Sequence, residues 1–243
     1  MKRKALIITN PGEPGEDYLH GVDRDREAYR EFLDSAIGGW WYSSEIEKLD
    51  RPQVAEVMIA VRGLKDADYS VVIFSGHGGY SRVQDETILV LRPGGTIPAS
   101  ELLVNGRKQT VILDCCRKVG KEDLREAMMF KAARALPAVN GPRCRDYYER
   151  QIEECGVSTV MMFACAVGES AYDRPEGGVY SYSLIRGTHE WAEYEQRERP
   201  VALSVALAHE VAAERVARRR GERQTPGIEK PRSGPYFPFC VLA

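Results

Sequence analysis

The chain has 243 residues, 43% hydrophobic and 29% charged, with a formal net charge of -2 and a pI near 6.2. That is enough material for one well-buried core, so a single domain is expected, and the charge balance argues against nucleic acid as the main partner. No run approaches the roughly 20 apolar residues of a membrane-spanning helix.

In chain order, the first element follows a basic start. MKRKALIITNPG carries an apolar run of only about five residues, too short for the core of a secretory leader, and the expectation is a cytoplasmic protein. Four apolar runs read as strands, over residues 5–9, 70–74, 109–113 and 158–164. Each is rich in Val, Ile, Leu or Met and is continuous rather than alternating, the pattern of a strand buried on both faces of a parallel sheet. Between them lie helical patterns. Residues 23–37 open on Asp23 as a cap and repeat Tyr29, Phe32, Leu33 and Ile37 at helical spacing. Residues 52–64, capped by Asp50, place Val54, Val57, Met58 and Val61 on one face. Residues 118–156 break the rhythm with mixed charge, Pro137, Gly141 and Pro142. A helix is expected over 122–136 and an exposed connection elsewhere. Residues 202–218 repeat the helical pattern with Leu203, Val205, Ala206, Val211 and Val216, and the cluster Arg218, Arg219 and Arg220 offsets its dipole. The stretch 224–238 is expected to be irregular. Strands alternating with helices give an α/β three-layer sandwich.

The chemistry gathers at two strand ends. Residues 70–74 run into Ser75-Gly76-His77-Gly78-Gly79, and residues 109–113 into Asp114-Cys115-Cys116-Arg117. In a parallel sheet, functional groups collect at the carboxyl ends of strands. A thiol beside an imidazole is the minimum equipment for nucleophilic catalysis, since the base removes the proton and the thiolate attacks a carbonyl. His20, His189 and His209 lack such a setting, and His209 is expected to pack or face solvent. The six cysteines, Cys115, Cys116, Cys144, Cys155, Cys165 and Cys240, show no C-x-x-C pair and no dense framework. Free thiols in a reducing compartment are expected, with Cys165 and Cys240 as small buried hydrophobes.

The sequence resembles the caspase-like peptidases of the caspase, metacaspase and prokaryotic caspase-homologue superfamily over nearly its whole length. Ser75-Gly76-His77-Gly78 looks like the family's histidine motif. Asp114-Cys115-Cys116-Arg117 resembles the metacaspase Asp-Ser-Cys motif and, at Cys116-Arg117, the caspase Ala-Cys-Arg motif, which selects Cys116 over Cys115 as nucleophile. The run from Ala164 to Asp173, then Gly178-Val179-Tyr180-Ser181-Tyr182, is similar to the family's later strand, loop and Gly-x-Phe-Thr-Tyr helix start. Gln224-Thr225-Pro226 and Pro238-Phe239 also fit. The resemblance implies a six-stranded, mostly parallel sheet flanked by helices. It implies a single peptidase domain over residues 1–243, in which residues 1–117 are large-subunit-like, residues 118–156 are a linker and residues 157–243 are small-subunit-like. It also implies a cysteine endopeptidase acting on protein substrates. His77 would be its base or proton donor, and the backbone N–H groups of Gly78 and Cys116 its oxyanion hole. No third catalytic member beside this pair is visible.

Charge complementarity addresses cleavage preference. Leu19-His20-Gly21-Val22-Asp23-Arg24-Asp25 looks like the metacaspase Leu-x-Gly-Cys-x-Asn-Asp motif, with Val22 and Arg24 departing from it. By position, Asp25 and Asp114 become the two acids of a pocket for Arg or Lys, since paired carboxylates repel when empty and welcome a guanidinium. Asp23 suits the capping role and leaves Asp25 available, and Arg24 could point into the pocket or away. Lys131, Arg134, Arg143, Arg145 and Arg150 make the linker a candidate for activating cleavage, by the chain itself or by an upstream protease or sensor. Many metacaspases use calcium held by an acidic loop after the histidine. Here that stretch offers only Asp85 and Glu86, against the six to eight oxygen ligands calcium usually takes, so no metal and no cofactor is expected. The rival readings are a different cleavage preference, an inactive caspase-like binding module, and a redox switch between Cys115 and Cys116.

Overall fold

The structure is a computed structural model that describes residues 1–15, 18–92, 94–119, 140–195, 199–219 and 223–243. The chain begins with β1 (Arg3–Asn10), α1 (His20–Asp34), β2 (Ile46–Asp50), α2 (Val54–Gly63) and β3 (Tyr69–Gly76). An antiparallel flap follows, made of β4 (Gly78–Ser81), β5 (Glu86–Val90) and β6 (Thr96–Pro98), and leads to β7 (Lys108–Asp114). The second half holds α3 (Gly141–Glu154), β8 (Thr159–Phe163) and a small hairpin of β9 (Asp173–Arg174) and β10 (Gly177–Gly178). It continues through α4 (Val179–Tyr194), β11 (Val201–Ser204), α5 (Val205–Ala217), β12 (Gly227–Glu229) and β13 (Pro238–Leu242).

Six strands form the main sheet in the order β12-β8-β7-β3-β1-β2. All neighbours are parallel except β12, which runs antiparallel to β8. The four apolar runs are its central strands, and they are buried on both faces because successive side chains point to opposite sides. Ala5 and Ile7, Val71 and Ile73, and Ile112 join a core with α1, α3, α4 and α5. Leu6 and Ile8, Val72 and Phe74, and Val111 and Leu113 join a second core with α2 and the flap. The result is the expected three-layer α/β sandwich. The edges are blunted. The β2 edge exposes Glu47 and Lys48, and β12 spans three residues between Pro226 and Pro231, which limits pairing with another chain.

Several boundaries differ from the sequence expectation. Helix α1 starts at His20, so Asp23 lies in its first turn, where it accepts a 2.7 Å hydrogen bond from the Tyr18 hydroxyl instead of capping. Helix α2 starts after Gln53, whose N–H donates to Glu56 at 2.7 Å, and not at an Asp50 cap. Residues 201–204 belong to β11, which pairs with β13, and Ser204 caps α5. The largest difference is α3, which occupies residues read as exposed linker. Gly141 and Pro142 looked like breakers, but proline is tolerated in a helix's first turn, where its missing N–H has no partner to lose. The Asn140 side chain caps that turn by accepting from the Arg143 N–H at 3.1 Å. Cys144, Tyr148 and Ile152 bury the inner face of α3. The helix expected over 122–136 lies outside the described residues.

Candidate active site

The register of the central strands sets the site. Asn10 of β1 pairs with Gly76 of β3, and Ser75 of β3 pairs with Asp114 of β7. One residue past Asn10 is Pro11, one past Gly76 is His77, and two past Asp114 is Cys116. Parallel neighbours lie about 4.8 Å apart, so these three residues leave the sheet side by side. Gly76 makes the turn possible: a Cβ there would stand 2.4 Å from the Asn10 carbonyl oxygen. The His77 backbone is held at both ends, donating to Asn10 at 3.3 Å and accepting from Val90 at 3.0 Å. Its ring Nε2 lies 3.2 Å from the Pro11 carbonyl oxygen. A neutral imidazole that donates from Nε2 carries its acceptor lone pair on Nδ1. Sequence reasoning missed Pro11, because a backbone carbonyl has no residue signature and only strand register brings it to the histidine.

The two adjacent cysteines point into different surroundings. Cys115 is 2% exposed and packs into the flap-side core. A Cβ on Gly78 would come within 2.8 Å of its sulfur, so the flap's first residue must be glycine to lie this close. Cys116 is half-buried, and its thiol donates to the Ala171 carbonyl at 3.5 Å. Burial pushes the Cys116 thiol up, and the Asp114 charge adds to this. The Ala171 contact, Lys118 and the Ser170 hydroxyl pull it down, and the net direction is up. At rest Cys116 is a thiol that needs a base. Cys165 and Cys240 are fully buried, as small hydrophobes.

Arg117 anchors the loop that carries Cys116. Its Nε donates to Thr87 at 2.9 Å and its guanidinium lies 4.2 Å over the Phe163 ring. Its backbone exchanges bonds with Glu169 and Gly168 in the loop after β8. Gln224 clamps the same loop, donating to Ala164 at 2.9 Å and accepting from Tyr172 at 3.2 Å, which gives the Gln224-Thr225-Pro226 segment a physical role.

Asp25 and Asp114 lie beneath this row, 2% and 5% exposed. Asp25 accepts from the Ser75 hydroxyl at 2.6 Å and from the Gly178 N–H at 3.0 and 3.1 Å. Asp114 accepts from the Ser181 N–H at 2.8 Å, so it satisfies an orphan donor in the first turn of α4. Burial, then the charge of Asp114, holds Asp25 well above the usual carboxylate range, and burial also raises Asp114. Two desolvated carboxylates so close favour a shared proton or a cationic guest. Arg24 is exposed, whereas Asp25 and Asp114 are buried. A further acid, Asp173 of β9, accepts from the Gly21 N–H at 2.9 Å.

The remaining candidates fall elsewhere. His209 is buried with its Nδ1 2.8 Å from the Tyr180 hydroxyl, tying α5 to α4. Asp85 accepts from the Tyr80 hydroxyl and Glu86 from the Ser100 N–H. Among the described residues, no group of three or more His, Cys, Asp or Glu could hold a metal ion, and no helix is long and apolar enough to cross a membrane.

A family model described as caspase domain matches residues 2–236. Two solved caspases are similar in structure. Caspase-1 from Spodoptera frugiperda is 12% identical with a TM-score of 0.60, and the match covers 94% of this chain and 86% of that one. The Drosophila initiator caspase Dronc is 11% identical with a TM-score of 0.56, over 93% and 78% of the two chains. Comparison with curated protein sequences gives no match.

Proposed function

The chain belongs to the caspase-domain family, and from that premise we propose that it is a cysteine endopeptidase cleaving protein substrates after Arg or Lys. The observation that carries the reading is the row of Pro11, His77 and Cys116 at neighbouring strand ends, set over a buried acid pair. His77 Nδ1 takes the Cys116 proton as the sulfur attacks the scissile carbonyl. The Pro11 carbonyl holds the ring and stabilises the imidazolium. The backbone N–H groups of Gly78 and Cys116 receive the oxyanion, a contribution on the order of 3 kcal/mol per donor. The imidazolium then protonates the leaving amine, and His77 activates water to release the acyl group. Asp25 and Asp114 take the basic side chain, whose charge relieves their mutual repulsion.

Activation by cleavage within the linker fits this specificity, with a correction to its place. Arg143, Arg145 and Arg150 lie on α3, and Arg145 is bonded bidentately to Glu45 at 2.7 and 2.8 Å. A protease would have to unfold that helix to reach them. Lys131 and Arg134 lie outside the described residues and remain the candidates. An upstream protease or sensor is the expected activator, and the cytoplasm, where thiols stay reduced, the expected compartment.

One observation favours a second reading. Asp25 and Asp114 already bind the backbone of residues 178–181, which would suffice for acids that merely anchor α4. The test is a peptide library varied at the residue before the cut, offered to the chain and to Cys116→Ala with and without calcium. Cleavage after Arg or Lys that vanishes in the variant supports the proposal. Cleavage after Asp leaves the dyad and removes the acid pocket. Silence that persists after the linker is nicked points to a binding module.

A further inference from the structure

We propose that Ser170 is a further catalytic residue, whose hydroxyl donates a hydrogen bond to the Cys116 sulfur when that sulfur becomes a thiolate. The inference deepens the reading of Cys116 as nucleophile and rests on it, but it rests on no particular substrate.

The loop after β8 wraps the sulfur, and residues 168–172 of that loop are fixed on both sides. The Arg117 N–H donates to Glu169 at 3.0 Å and the Gly168 N–H to Arg117 at 2.9 Å, while the Tyr172 N–H donates to Gln224 at 3.2 Å. Ser170 and Ala171 are thereby held against Cys116, whose thiol donates to the Ala171 carbonyl at 3.5 Å. Ser170 is 3% exposed. Its Oγ is buried and makes no well-aligned hydrogen bond among the described residues, a costly state that calls for an explanation. The thiol of Cys116 supplies one, because the Ser170 hydroxyl acts on it as a hydrogen-bonding side chain that favours its ionisation. A hydroxyl proton rotates about the Cβ–Oγ bond, so it can turn to the sulfur without any movement of the loop.

The need for that donor arises on ionisation. In the resting thiol the S–H proton is committed to Ala171, and the sulfur is only a weak acceptor. His77 then takes the proton, the bond to the Ala171 oxygen is lost with it, and the half-buried sulfur carries a full negative charge. Burial opposes that charge most, and Asp114 adds to the opposition. The other groups around the sulfur are His77 at the end of the neighbouring strand, Lys118 on the sulfur's own loop, and the thiols of Cys115 and Cys165. A hydrogen bond from a neutral hydroxyl to an anion is short and strong, and Ser170 is placed to make one. Once the sulfur has bonded to the scissile carbon it is a thioether, a weak acceptor again. Ser170 therefore serves the formation of the nucleophile and not the oxyanion that follows.

The experiment reads the sulfur directly, by iodoacetamide alkylation of the full chain and of Ser170→Ala from pH 6 to 9, with the labelled residue identified by mass spectrometry. Peptidase activity is not needed, so the cleavage preference has no bearing on the result. Loss of one charge-assisted hydrogen bond should leave about tenfold less thiolate at a given pH, and each more basic thiolate is about threefold more reactive. Alkylation of Cys116 should therefore be about threefold slower in Ser170→Ala. The same factor is expected when both chains also carry His77→Ala, because the hydroxyl acts on the sulfur and not through the imidazole. Urea unfolding supplies the structural control. Ser170→Ala removes a buried hydroxyl that has no aligned partner at rest, so stability should hold or rise. Parental alkylation in Ser170→Ala would refute the inference and leave Cys116 as the nucleophile. A slowing that vanishes in the His77→Ala background would also refute it. So would a slowing accompanied by lost stability, which would reduce Ser170 to a packing residue of the loop. Label on Cys115 in place of Cys116 in the parent would remove the nucleophile assignment and this inference together.

Discussion

Replacing Asp173 with Asn should stabilise the fold, and more so at neutral than at acidic pH. Burial and the Asp114 charge raise the Asp173 carboxyl from an ordinary 3.8 to about 6. Between those values the folded state binds more protons than the unfolded state, so stability falls as pH rises. The whole shift corresponds to about 3 kcal/mol once the solution is well above pH 6. Roughly 1 kcal/mol of that is already lost at pH 4.5, because the unfolded chain ionises first, and about 2 kcal/mol more is lost by pH 7.5. Asn carries no charge to bury, yet its side-chain oxygen can still accept from Gly21. Urea unfolding of parent and variant at the two pH values measures the difference. The expected gain is about 1 kcal/mol at the lower pH and about 3 kcal/mol at the higher one, or about 6–12 °C in melting temperature for a chain of this size. An equal gain at both pH values would sink the reasoning, as would a loss at pH 7.5, because either would mean that the carboxylate is not strained by its surroundings.

The other expectations concern the same neighbourhood and its supports. Cys115→Ser puts a hydroxyl into the core under Gly78 and should cost about 1–3 kcal/mol in unfolding experiments, while peptidase activity per folded molecule persists; loss of activity without loss of stability would exchange the roles of Cys115 and Cys116. Gly78→Ala drives a Cβ to 2.8 Å from the Cys115 sulfur and 3.0 Å from the Ile88 carbonyl oxygen. It should cost about 1–3 kcal/mol by overpacking and should lower kcat far more than it raises KM, because the displaced N–H would have served only the oxyanion. His209, lowered from 6.5 to about 4 chiefly by burial, resists protonation in the folded state. Stability should therefore fall as pH drops from above 6.5 toward 4, by up to about 3 kcal/mol, and His209→Gln should flatten that limb in denaturation curves; an unchanged limb would assign acid sensitivity elsewhere.

Much of this could be read along the chain. Continuous apolarity marked β1, β3, β7 and β8 because parallel strands covered on both faces need no polar side. The turn after β3 advertised itself through Gly76 and Gly78, and the end of β7 through Asp114 and two cysteines. The edge strand β2 escaped notice because Glu47 and Lys48 face solvent there, which erases the pattern. Helix α3 escaped because Pro142 means opposite things at the start of a helix and inside one, and only Asn140 and the buried face decide between them.

The sequence by itself determined the three-layer class, the family resemblance, and the identity of the histidine, thiols and acid gathered at strand ends, because those depend on residue type and short-range spacing. Tertiary structure alone decided which groups meet. Strand register set the Pro11 carbonyl against His77, and the opposite surroundings of neighbouring residues sent Cys115 into the core and left Cys116 half-buried. The bare backbone of Gly21 brought the Asp173 carboxylate, 148 positions from Asp25 along the chain, onto the first turn of α1. Such contacts are fixed by how the chain crosses over the sheet, and no local pattern encodes a meeting between segments that far apart.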